Sequence, residues 1–134
     1  KKYIEMRGAD MGSRDFTVAL PAFWVGLMYD STALDAAWDL VKGFDAECRE
    51  ALRVGASVSG LQAEVGDVKL LDLARAAVAL SHAGLAARGH DEEAYLAPLV
   101  ESLKSGQVQA DRYLTHYNGD WGDDLTPMYR AARL

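Results

Sequence analysis

Between Asp67 and Arg88 the residues Leu70, Leu73, Ala74, Ala77, Leu80, Gly84 and Leu85 recur three and four apart, and Gly89 closes the run. That spacing makes one side of a long helix, and the alanines and glycine along it let a neighbouring element approach closely. Whatever this chain folds into must therefore bury that side against other helices, and the sequence offers several. From Thr17 the segment Ala22-Phe23-Trp24-Val25 with Leu27 and Met28 has hardly any polar side and predicts a helix buried nearly all round, with Pro21 in its first turn. Asp30-Ser31 caps a second helix whose stripe is Leu34, Ala37, Trp38 and Val41. Asp45 caps a third, running to about Val54, and a loose Gly- and Ser-rich connection follows it. Asp91 to Lys104 predicts a helix kinked at Pro98, and two short helices over 109–117 and 125–133 complete the chain. With 134 residues there is room for one such core.

The N-terminal end departs from this pattern. Tyr3 to Arg7 alternates polar and apolar residues with period two and predicts a short strand, followed by a loop rich in Gly and Asp up to Asp15. A single strand is not stable alone, so its partners are expected in a part of the protein that precedes Lys1. The expected fold class is mainly α: residues 1–16 form a strand and loop, and residues 17–134 form a helical bundle.

Charge narrows the partners. Acidic residues outnumber basic ones 20 to 14, for a net charge of −6, which repels nucleic-acid backbones and anionic lipid heads. Neither is an expected partner, and the apolar run Val18–Met28 is too short to span a bilayer. Cys48 is the only cysteine, so no internal disulfide forms, and a reducing, cytoplasmic location is expected. His82, His90 and His116 are too scattered for a metal site and read as surface or capping residues, while Asp120, Asp123 and Asp124 read as a solvated loop.

The chemistry sits in the strand. Glu5 and Arg7 leave an extended backbone on the same face roughly 6.6 Å apart. A carboxylate there can ligate magnesium and a guanidinium can hold phosphate oxygens bidentately, although Glu-x-Arg is also an ordinary solvated pair. The string Tyr3-Ile4-Glu5-Met6-Arg7-Gly8-Ala9-Asp10, followed by Ala19-Leu20-Pro21-Ala22-Phe23-Trp24-Val25-Gly26-Leu27-Met28-Tyr29-Asp30, resembles glutamate-cysteine ligases, especially their plant-like and proteobacterial branch. The likeness continues through Asp72-Leu73-Ala74-Arg75, Ala83-Gly84-Leu85 and Tyr117-Asn118-Gly119-Asp120-Trp121-Gly122. Where the family pattern carries Gly-Gly-Pro-Trp, this chain has Met11-Gly12-Ser13-Arg14, so substrate contacts from that loop are not carried over.

The resemblance implies that the strand belongs to the antiparallel catalytic sheet of a glutamine-synthetase-like α+β enzyme. It implies ATP and Mg2+ as cofactors, L-glutamate and L-cysteine as substrates, and γ-glutamylcysteine as product. Glu5 would ligate the metal, Arg7 would bind the ATP phosphate and stabilise the transferred phosphoryl group, and Trp24 would lie near the substrate. The chain would be the C-terminal part of such an enzyme, inactive without its N-terminal catalytic region and prone to self-associate through the strand edge or the helix from Thr17 to Tyr29. The competing expectation is a helical interaction or dimerisation module without catalysis.

Overall fold

The computed structural model describes residues 5, 6, 8, 9 and 12–131, with only residues 1–4, 7, 10, 11 and 132–134 outside the description. Among the described residues the fold is mainly α, as expected. It comprises α1 (Arg14–Met28), α2 (Ser31–Val41), α3 (Ala46–Ser59), a two-stranded hairpin of β1 (Glu64–Val65) and β2 (Val68–Lys69), α4 (Leu70–Arg88), α5 (Ala97–Ser105), α6 (Gln109–Asn118) and α7 (Thr126–Ala131).

The centre is the crossing of α1 over α4. Ser81 and Leu85 on α4 are fully buried, Ala22 and Leu27 on α1 nearly so, and Leu96 completes the core beneath Phe23, Val25 and Leu99. Two glycines set the separation. A Cβ placed on Gly84 would lie 2.9 Å from the Gly26 carbonyl carbon and 3.0 Å from the Ala33 Cβ, and one placed on Gly26 would fall within 2.8 Å of the Ser81 carbonyl carbon. The Ser81 hydroxyl donates to the Phe23 carbonyl oxygen at 2.9 Å and so ties the helices at their closest point. A buried hydroxyl bond of this kind contributes about 1 kcal/mol, and Ser81→Ala is expected to lower the unfolding free energy by that much in urea titration.

The long α4 helix was expected from Asp67, but a hairpin takes its first residues. Glu64 pairs with Lys69 and Val65 with Val68 around Gly66, whose φ of +57° is one that glycine adopts without steric cost. Gly89 ends the helix as predicted, in the left-handed conformation. By length and composition α4 is one helix that passes for a membrane span. Asp72 and Arg75 interrupt its apolar run, and Val78, Ser81, Gly84 and Leu85 are buried against α1.

Other expectations are revised. Helix α1 begins at Arg14, not Thr17, so Pro21 lies in its interior, exposed to solvent. It is not buried all round, since Val18 is 41% and Tyr29, just past its end, 73% exposed. Helix α3 runs on to Ser59, and a 3₁₀ turn, Gly60–Gln62, replaces the loose connection. Pro98 does not kink a helix: the chain is 3₁₀ over Glu92–Leu96, and Pro98 falls in the first turn of α5, where its missing N–H has no partner to lose. On α2 the stripe of Leu34 and Trp38 faces outward, with Trp38 63% exposed, while Ala33 is buried. The caps at Asp30 and Asp45 hold, each accepting a backbone N–H at 2.8 Å, from Ala33 and Cys48. At the far end of α4, Arg88 pairs with Glu92 at 3.0 Å and lies over the Tyr29 ring, 5.7 Å from its centre.

Candidate functional site

Of the strand proposed over Tyr3–Arg7, only Glu5 and Met6 fall among the described residues; Arg7 lies outside them. Both described residues are exposed and in no regular element. The loop then meets the helices at Gly12, where a Cβ would stand 2.7 Å from the Phe16 Cβ and 3.3 Å from the Gln109 Oε1. Glycine lets this backbone lie directly on the first residue of α6. Gln109 is itself held there, its side-chain amide donating to the Tyr113 hydroxyl at 2.7 Å. Ser13 precedes α1, and its carbonyl accepts from the Thr17 N–H at 3.0 Å and the Thr17 hydroxyl at 3.1 Å.

Beside this loop lies a hollow of about 710 Å3. Ala9 and Gly12 border it, Phe16, Leu20 and Phe23 line it from α1, Ala74, Ala77 and Val78 from α4, and Leu99 and Leu103 from α5. Among the described residues its polar side chains are those of Thr17, Ser102 and Gln109, and none of the described lining residues is charged. The described walls offer apolar groups a better match than a triphosphate, a magnesium ion or a charged amino acid. Sequence reading missed the hollow, because its walls come from four helices distant in sequence.

Trp24 is half-buried, and its ring meets Phe23 edge-on with centres 5.1 Å apart. Phe23 faces the hollow, but Trp24 is not among the residues lining it.

The motif Tyr117–Gly122 closes α6. The His116 ring stacks on Trp121 with centres 5.1 Å apart, its Nδ1 is 2.9 Å from the Asp120 Oδ1, and the Trp121 N–H donates to the His116 carbonyl at 2.9 Å. Tyr113 flanks the same indole at 6.0 Å. The motif thus braces α6, the helix whose other end carries Gln109. Asp124 turns to the start of α7, its Oδ1 accepting from the Thr126 N–H at 2.8 Å. No group of three or more His, Cys, Asp or Glu is gathered as a metal would require among the described residues.

The Thr126 backbone N–H holds the Asp124 carboxyl below its ordinary value of 3.8, helped by the Thr126 hydroxyl and the Arg130 charge. Because the folded-state value is lowered, this contact stabilises the start of α7 above the unfolded value and is lost as pH falls through the lowered one. The Thr126 amide resonance should titrate with a midpoint below 3.8; a midpoint at or above that value contradicts the contact.

Comparison with known proteins agrees with the motifs. The family model described as glutamate-cysteine ligase family 2 (GCS2) matches residues 1–131. The chain is 39% identical over 129 residues to the chloroplastic glutamate–cysteine ligase of Nicotiana tabacum and 40% over 129 to that of Arabidopsis thaliana. It is 38% identical over 130 residues to the chloroplastic glutamate–cysteine ligase A of Oryza sativa subsp. indica. These alignments cover 96 to 97% of the chain, which spans about a quarter of the length of those relatives. With the family model matching nearly the whole of this chain, through both the Glu5-containing segment and the helices behind it, the chain belongs to glutamate-cysteine ligase family 2.

Proposed function

We propose that the chain is the C-terminal part of an ATP-dependent ligase that joins the side-chain carboxylate of L-glutamate to the amine of L-cysteine. The observation that carries this reading is the match to glutamate–cysteine ligases across the whole chain. In the reaction a carboxylate oxygen of glutamate attacks the γ-phosphorus of ATP and ADP departs. The cysteine amine then attacks the acyl phosphate carbonyl carbon, phosphate leaves, and the amine gives up a proton. Such transfers are catalysed by positioning and by cations set where negative charge develops. Arg7 supplies a guanidinium to the transferred phosphoryl group. The exposed Glu5 carboxylate fits a magnesium ion as one of several oxygen ligands, and a bound magnesium would neutralise the phosphate oxygens. Its remaining protein ligands would come from the preceding part of the protein.

We propose a reducing, cytoplasmic setting, since the one cysteine of this chain, Cys48, forms no disulfide within it. The second reading, a helical interaction module, draws on the outward Leu34 and Trp38 of α2. A coupled assay for ADP release that requires both amino acids separates the two. Turnover is expected from the full-length protein and none from residues 1–134 alone. A full-length protein that folds but releases no ADP with glutamate, cysteine and magnesium contradicts the ligase reading.

A further inference from the structure

Phe16, Leu20, Phe23, Ala77, Leu99 and Leu103 wall a cleft of about 710 Å3 that is partly open to solvent. Apolar walls left wet cost free energy in proportion to their area, so a cleft of this composition favours an apolar occupant. Its size alone would suit a small ligand. The walls formed by the described residues are apolar and uncharged, which favours the side chains of a protein segment over the charged substrates of a glutamate ligase.

Two observations indicate which segment. The chain spans about a quarter of the length of its curated relatives, so most of the full-length protein lies outside it. Ala9 and Gly12, both ahead of α1, form part of the border. We infer that this hollow is the socket for an apolar segment of the preceding N-terminal portion of the same protein, and that its filling seats the Glu5 loop against α6. The inference rests on the reading of the chain as part of a longer ligase.

The test uses full-length protein carrying Ala77→Cys, with Val58→Cys as a reference, since Val58 is 80% exposed. Labelling by a thiol reagent is followed peptide by peptide in mass spectrometry, which separates Cys48 from the introduced thiols. A filled socket slows labelling of the Ala77→Cys protein about 100-fold relative to the Val58→Cys protein, because the thiol reacts only on local opening. Equal rates overturn the inference. So does protection that disappears on dilution, which would identify a second copy as the occupant, or protection that appears only with added glutamate and ATP, which would identify a substrate site. Ala74→Cys, one turn earlier on the same wall, serves if Ala77→Cys does not fold. Labelling is read without substrates and ADP release separately: an inactive protein with a protected thiol sinks the ligase reading alone, and an active protein with an open thiol sinks the socket alone.

Discussion

Gly84→Val is expected to abolish the cooperative unfolding transition of this chain, and Gly84→Ala to lower its stability by about 1–3 kcal/mol, the usual range for an overpacked core. Intrinsic propensity predicts the opposite sign, since glycine inside a helix is about 0.5–1 kcal/mol worse than alanine. The contact decides between them. A Cβ on Gly84 meets the carbonyl group of Gly26, a piece of helical backbone that cannot rotate aside as a flexible side chain would. Relief requires the two helices to separate, which would break the Ser81 bond to Phe23 and loosen the packing of Ala22 and Leu85. Gly26→Ala should act alike, and because both substitutions force the same separation, the double variant should cost less than the sum. Gly43→Ala provides the control: nothing lies within 4 Å of a Cβ there, and it should be neutral or stabilising by about 0.4–1 kcal/mol. Urea denaturation checks all five; an unchanged midpoint for Gly84→Ala contradicts the crossing geometry.

The second large effect concerns chemistry. In the full-length protein, Glu5→Gln and Arg7→Ala are each expected to lower kcat by about 10²–10³, the loss typical of removing one group that stabilises transition-state charge. Glu5→Gln keeps the side chain's size and removes its charge, so circular dichroism showing a folded variant assigns the loss to the carboxylate. For Arg7→Ala, a fall confined to KM with kcat intact would mean that the guanidinium only binds nucleotide in the ground state. Wild-type kcat in both variants would remove these residues from the reaction.

Much of the fold was legible because local chemistry marks helix ends. Asp30 and Asp45 cap as their residue type dictates, and Gly89 stops α4. What escaped were facts set by distance across the structure. Leu34 and Trp38 look like a core stripe, but α2 comes so close to α4 that only Ala33 fits between them, and the larger side chains turn outward. The hairpin escaped because two residues per strand leave no period to detect. Pro98 reads as a kink until the preceding 3₁₀ segment moves the start of the helix to Ala97. Glu5 is proposed as a site residue from its motif alone, whereas the hollow bordered by Ala9 and Gly12 has no local signature, since Phe16, Ala77, Leu99 and Val108 are brought together only by packing.

On the proposed function, Glu5 is a metal ligand of a phosphoryl-transfer site completed by the preceding part of the protein. Manganese can replace magnesium as a spectroscopic probe, and its free concentration can be followed by electron paramagnetic resonance as it is titrated into the full-length protein with ADP. Glu5→Gln is expected to weaken one manganese site by at least about tenfold, the scale of losing a charged ligand, in protein that remains folded. Superimposable titration curves for the wild type and Glu5→Gln would contradict it.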